Sequence, residues 1–177
     1  MLTLKRKRLE LIKGAIGLVS DTHGLVRPEA LAALQGCDLI IHAGDIGKPE
    51  VLDAFKAIAP LVAIRGNNDR ESWAKKLPDV LDLRINGVKL HVIHNVQELQ
   101  LNPAEVGVSA VISGHSHKPV MTRRDGVLFI NPGSAGPRRF KLPIAVGKLW
   151  IDQGKVNSKI IELKFSASFV DFNRASR

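Results

Sequence analysis

Short apolar runs in the first part of the chain each end in a cluster of small and polar residues, and this constrains the fold more than any other feature. Ala15 to Ser20 runs into Asp21-Thr22-His23-Gly24, Asp38 to His42 into Ala43-Gly44-Asp45, and Leu61 to Arg65 into Gly66-Asn67-Asn68-Asp69. Between them lie two segments that open with proline, Pro28 to Gln35 and Pro49 to Ile58. Proline suits the first turn of a helix, and Val51, Leu52, Phe55 and Ile58 fall on one helical face. The resulting βαβαβ order predicts parallel strands with helices packed on the sheet.

The pattern then changes. Val80 to Ile85 and Val88 to Ile93 flank Asn86-Gly87, a strong signal for a two-residue hairpin turn. Further strands are expected at Val108 to Ser113, Val127 to Ile130, Ala145 to Ile151 and Val156 to Leu163, with a short helix around Asn102 to Val106. Two facing sheets satisfy both halves. The expected fold is α/β, a four-layer αββα sandwich of two mixed sheets flanked by helices. No repeat or linker interrupts the chain, so one domain is expected over residues 1–177, with an ordered core from about Gly14 to Phe165.

Composition narrows the function. The chain of 177 residues is 45% hydrophobic and 24% charged, ordinary for a globular domain. Its apolar runs fall short of the ~20 residues needed to span a bilayer, and its N-terminus lacks the pattern of a signal peptide. One cysteine, Cys37, excludes an intramolecular disulfide and suits a reducing cytoplasm. The net charge of +9 arises partly at Lys5-Arg6-Lys7-Arg8, read here as a solvated tail, and partly at Arg138, Arg139 and Lys141.

The polar clusters carry the chemistry. Two more follow later strands, His94-Asn95 and Gly114-His115-Ser116-His117. Ligands bind at the carboxyl ends of strands in open α/β sheets, so these loops are expected to converge there. Imidazole, carboxylate and amide oxygen are ligands for borderline and hard divalent metals, and no thiolate takes part. In Asp21-x-His23 and His115-x-His117 an extended backbone would point both side chains the same way, toward one ion. Asp45, with two carboxylate oxygens, could bridge two ions. Each dipeptide alone is weak: Asp21 and Asp45 could cap helices, Asn67 and Asn68 could serve plain turns, and Asp69 is read as a helix cap or an orienter rather than a ligand. Their joint placement after successive strands is the specific signal.

In this order, Asp-x-His, Gly-Asp, Gly-Asn-x-Asp, His and Gly-His-x-His, the chain resembles the calcineurin-like metallophosphoesterases. The loop Asn131-Pro132-Gly133-Ser134 and the short length resemble the small branch of YfcE- and MJ0936-type phosphodiesterases, which also includes Vps29. The resemblance implies one metal held by Asp21, His23, Asp45 and His117, and a second by Asp45, Asn67, His94 and His115. It implies two divalent ions (manganese, with iron, zinc or nickel permitted by the ligands) and hydrolysis of phosphate esters by a metal-activated hydroxide. His115 and Asn68 are catalytic candidates on this reading, and Asn68 and Arg138 are candidates for holding substrate, with Arg139 beside them.

Two residues depart from the family pattern. Larger members carry histidine where this chain has Asn68, and an amide cannot act as a general acid. Members often carry glycine where this chain has Asn95. His42 is expected to be a buried, hydrogen-bonded residue near the ligands, His91 a structural residue, and Trp73 and Trp150 core or subunit-contact residues of a homo-oligomer.

Competing readings are a Vps29-like interaction module, favoured by Asn68 and opposed by the full ligand set, and a nuclease, favoured by the basic charge alone. A phosphate-ester substrate ranks first as partner, nucleic acid below it, and a membrane is not expected.

Overall fold

The computed structural model describes residues 2–9 and 12–165; the expectation of disorder over Ser166 to Arg177 lies outside them. The chain runs β1 (Leu4–Leu9), β2 (Ile16–Val19), α1 (Pro28–Leu34), β3 (Leu39–His42), α2 (Pro49–Lys56), β4 (Leu61–Ala63), β5 (Val80–Ile85) and β6 (Val88–Ile93). It continues through β7 (Val108–Ile112), β8 (Val120–Arg124), β9 (Val127–Asn131), β10 (Ala145–Asp152) and β11 (Lys155–Glu162).

These strands form two mixed sheets, one ordered β11-β10-β2-β3-β4 and the other β1-β5-β6-β7-β9-β8. β2, β3 and β4 are parallel, as their βαβαβ order demands, and β10 joins them antiparallel. β2 and β3 are buried along their whole length because both of their faces are covered. One face meets the other sheet in a core that includes Ile16, Leu18, Ile41, Leu83, Leu90 and Ile112. The opposite face packs against α1 and α2 through Leu34, Val51 and Phe55. Deleting the fully buried Phe55 ring would cost about 3–5 kcal/mol.

Outside the six-stranded sheet the covering layer is thin. It consists of a 3-10 turn at Val96–Glu98 and the segment that follows it, packed over Val80, Ile93, Val108, Val111 and Val127. The helix expected near Asn102 to Val106 is a set of turns: Asn102 caps Ala104, and Gly107 ends the segment at φ +70°. One turn buries too little apolar surface to propagate a helix.

Both edges of the six-stranded sheet differ from the sequence-based expectation. Lys5 to Arg8 are part of β1, paired in parallel with β5, and do not form a tail. β8 was not expected at all; it pairs with β9 through an Asp125-Gly126 turn of the same left-handed kind as Asn86-Gly87. Edge strands carry charge and lack alternation because they have few neighbours, and their cations discourage further pairing.

Asp79 ties β1 to the sheet. Its carboxylate accepts from the Thr3 amide (2.7 Å), the Thr3 hydroxyl (2.8 Å) and Arg65 Nε (2.5 Å) and Nη2 (3.0 Å). Arg65 holds this carboxyl down at about 2. Asp79→Ala is therefore expected to destabilise the fold by about 2 kcal/mol at neutral pH. A carboxylate of depressed pKa stabilises above its unfolded value near 4, so the difference from wild type should vanish as pH falls from about 4 to 2. Urea denaturation across that range checks it; a pH-independent difference would contradict the ion pair.

Candidate metal centre

The expected loops meet where β2, β3, β4, β6 and β7 end. Asp21 N donates to Gly44 O (3.0 Å), His23 N to Asp45 O (3.0 Å) and Gly24 N to Ile46 O (2.7 Å), which laces the first two loops together. Gly114 N donates to His94 O (2.9 Å), and the His115 amide to both Asp21 carboxylate oxygens (3.1 and 3.2 Å). The Asn131–Ser134 loop closes one side, with Ser134 Oγ donating to Asp21 O (2.8 Å).

The backbone here is not extended, contrary to the sequence argument for the two x-spaced pairs. Asp21, His23, Asp45, His115 and His117 sit at φ +54°, +46°, +53°, +67° and +56°. Left-handed backbone costs an L-residue roughly 1–2 kcal/mol. Five such residues among seven expected ligands is concentrated strain of the kind found at functional sites. Close approach also fixes two glycines: a Cβ on Gly66 would overlap the Asp45 carboxylate, and one on Gly114 would overlap Ser20 Oγ.

Two donor groups result. Asp21, His23 and His117 form one, with His23 Nε2 3.2 Å from His117 Nε2 and His117 Nε2 3.4 Å from Asp21 Oδ1. Asp21, Asp45 and His94 form the other, with His94 Nε2 3.4 Å from Asp45 Oδ2. Asp45 Oδ2 also lies 3.9 Å from His23 Nε2, so this oxygen stands between the groups. His115 and Asn67 lie at the rim, joined by Nδ1 and Oδ1 at 2.9 Å, with the His115 ring edge-on to His94 at 5.3 Å.

Electrostatics follow from burial. Asp21 is fully buried, and desolvation raises its carboxyl to about 6 despite the nearby His94. Burial also opposes charge on Asp45, yet His94 and the two Asn68 donors hold it far below the ordinary carboxylate range. Burial lowers His117 to about 4 and lowers His23 as well, with the Arg139 cation adding to both. Burial works against protonation of His94, but Asp45 more than offsets it. His94 Nδ1 donates to Ala43 O at 2.7 Å, which leaves Nε2 pointed inward, and this buried nitrogen has no hydrogen-bond partner. A ring so oriented, with its other nitrogen committed to a carbonyl, is how protein imidazoles present a lone pair to a metal. The donor set therefore fits divalent ions.

Other expected residues settle differently. Asn68 is turned onto Asp45, donating from N (2.9 Å) and Nδ2 (2.6 Å) to the two carboxylate oxygens. Arg138 bonds its own loop at Leu142 O (3.4 Å), whereas the Arg139 charge is felt at the histidines. Of the two roles expected for Asp69, it takes the orienting one: it accepts from the amides of Gly66 (2.8 Å), Gly47 (2.9 Å) and Ile46 (3.1 Å), holding two of the candidate ligand loops together.

His42 is fully buried and bridges the same loops. Its Nδ1 accepts from Gly44 N (3.2 Å), so Nε2 bears the hydrogen shared with Thr22 Oγ1 (2.9 Å), and Thr22 donates onward to Ile46 O (3.0 Å). Thr22 went unnoticed in the sequence because the position between two ligands carries no pattern of its own. His91 pairs with Asp82 at 2.7 Å in the β5–β6 hairpin and is structural, as expected.

Comparison with known proteins identifies the family. The family profile of the calcineurin-like phosphoesterase superfamily domain matches residues 15–154. The probable metallophosphoesterase MJ0623 of Methanocaldococcus jannaschii is 36% identical over 162 residues, 84% of this chain and 81% of that protein. Phosphodiesterase MJ0936 of the same organism is 31% identical over 137 residues, 67% of this chain and 82% of that one. Among solved structures, an archaeal phosphodiesterase superposes with TM-score 0.69 at 26% identity, covering 83% of this chain and 99% of that one. Zinc-bound Vps29 of Entamoeba histolytica shares the fold at TM-score 0.64 and 19% identity, covering 84% and 98%. With a profile match over residues 15–154, which runs from β2 through β10 and takes in every candidate donor loop, the chain belongs to the calcineurin-like phosphoesterase superfamily.

Proposed function

We propose that the chain is a metal-dependent phosphodiesterase that holds two divalent ions and cleaves phosphate esters. The observation that carries this reading is the inward-facing, unpartnered Nε2 of His94 beside Asp45 Oδ2, which stands between two groups of buried donors. Asp21, His23, Asp45 and His117 would hold one ion, and Asp45, Asn67, His94 and His115 the other. Ions bound there would lower the pKa of water to yield a hydroxide nucleophile and neutralise phosphate oxygens for in-line attack.

The chain's own residues orient this chemistry. His42 and Asp69 fix the loops, Asn68 aims the Asp45 carboxylate, and Arg139 adds positive charge where an anionic phosphate approaches. The Asn68 amide cannot protonate the leaving oxygen, so that proton comes from solvent or from the substrate itself. Diesters, and esters with good leaving groups, are the expected substrates. The phosphodiesterase MJ0936, related over most of the fold, supports the diester preference.

The test is hydrolysis of bis-p-nitrophenyl phosphate and p-nitrophenyl phosphate by chelator-stripped protein with and without manganese. Metal-dependent turnover, faster on the diester, is expected. Asn68→His should raise turnover of alkyl esters by about tenfold or more, because general acids contribute 10²–10⁴-fold when well placed. An unchanged rate in a folded variant would show that protonation does not limit. If manganese, zinc and nickel all bind and nothing is hydrolysed, the second reading takes over: an interaction module that keeps the fold and its metals. Asn68 and the shared fold with Vps29 favour that alternative.

A further inference from the structure

A cavity of about 190 Å³ opens beside His115, on the outer face of the six-stranded sheet. Its floor is β8 and β9, where Thr122 pairs with Phe129 and both point outward with Val120 and Arg124. The Arg124 guanidinium carbon lies 5.4 Å from the centre of the Phe129 ring. The facing wall is the turn at Asn95–Gln97, which presents Val96 at 40% exposure.

The cavity is built firmly. Asn95 Oδ1 accepts from Gln97 N (3.1 Å) and its Nδ2 donates to Glu98 (3.2 Å), pinning the wall. Asn131 Nδ2 donates to Gly114 O (2.6 Å) and Ser116 Oγ (3.0 Å), pinning the rim that carries His115. Asn95, a departure from the family pattern, thus shapes this cavity.

We propose that this cavity is a subsite for a flat ring, an aryl group or nucleobase, borne by a phosphodiester whose phosphate sits at the neighbouring metal centre. The inference rests on the phosphodiesterase reading. Three features select the occupant. Val96 and Phe129 both line the cavity and offer it apolar surface, which a ring can cover. Arg124 over Phe129 supplies a planar cation suited to stacking. The volume lies below the roughly 300 Å³ at which pockets begin to hold drug-sized ligands, which limits the occupant to about one ring system. His115 lies both in the cavity lining and at the metal centre, so one ester can reach both.

The experiment uses p-nitrophenyl esters that share a leaving group and differ in the retained group: methyl phosphate, phenyl phosphate and thymidine 5′-phosphate. With manganese-loaded protein, kcat/KM for the ring-bearing esters should exceed that for the methyl ester by about tenfold, the effect of one stacked ring. Thr122→Trp should fill the cavity and bring that ratio toward one; tryptophan suits this exposed strand position, so the fold should persist. A phenyl ester matching the thymidine ester means that the site reads the ring face alone, and a better thymidine ester means that Gln97, Thr122 or Arg124 also reads its edge.

A wild-type ratio near one, or a ratio that Thr122→Trp leaves unchanged, overturns the ring subsite while methyl ester turnover upholds the phosphodiesterase. If no ester turns over, amide chemical shifts on adding thymidine 5′-monophosphate decide separately. Shifts at Gln97, Thr122 and Phe129 retain the subsite without the enzyme, and their absence dismisses it.

Discussion

Asp45→Asn is expected to abolish metal-dependent turnover, by about three orders of magnitude or more, because it would weaken both of the proposed ion sites at once. The carboxylate holds Asn68 N and Nδ2 on its two oxygens, and Oδ2 lies within 4 Å of both His94 and His23. An amide in its place brings an NH₂ toward Asn68 Nδ2 and removes the negative charge between the donor groups. Losing only a hydrogen-bonding partner of a ligand already costs roughly 10–100-fold in affinity or activity, and a shared ligand should cost more at each site. Manganese titration by calorimetry, read beside turnover, checks both parts. Near-normal turnover by a metal-loaded variant would remove Asp45 from its bridging position. Asp21 adds a pH dependence: its carboxyl, raised to about 6, must lose its proton to bind a cation, so manganese affinity should fall below that pH. In the metal-free protein the same raised pKa acts oppositely on folding. It stabilises below the unfolded value near 4, and that contribution is lost as pH rises through about 6.

His42→Ala carries the second large effect, on stability. The substitution strips Gly44 N and Thr22 Oγ1 of a partner in a fully buried position and leaves a cavity beside Phe55, whose ring lies 6.2 Å away. About 4 kcal/mol is expected at neutral pH. Burial pushes His42 down to about 3, so the folded protein keeps it neutral while the unfolded chain protonates near 6.5. The unfolded state then binds more protons, and wild-type stability from this group falls as pH drops from about 6.5 to 3. By pH 5 about 2 kcal/mol of it should be gone. Urea denaturation of wild type and variant at pH 7.5 and 5 measures this, since the other titrating groups cancel in the difference. Parallel pH dependence in the two proteins would refute a neutral His42.

Much of the fold was legible because its central strands bury both faces. β2, β3 and β4 appear as apolar runs, and β5 and β6 were read with the residue bounds seen here, since alternation and Asn86-Gly87 leave one register. β1 and β8 were not legible. Each pairs on one side only, so backbone hydrogen bonds define it and apolar patterning is weak. The candidate metal donors were legible as residue types after strands, but the backbone that aims them was not. Nothing in Asp21-Thr22-His23 announces two left-handed residues, because their amides donate to carbonyls of the Gly44–Ile46 segment, far away in the chain. Arg138 and Arg139 illustrate the same limit: adjacent cations, of which Leu142 O captures one and the other's charge reaches the histidines.

By itself the sequence determined the order of the central strands and helices, the family, and the residue types offered at the candidate site, since each depends on local pattern or on residue type. The tertiary structure alone decided which oxygen stands between the two donor groups, which loops strain into left-handed backbone, and that Asn68 serves Asp45. It also revealed a cavity beside His115. These depend on distances between residues far apart in the chain, such as His115 and Asn67 or Ser134 and Asp21, which only the packing of the two sheets brings together.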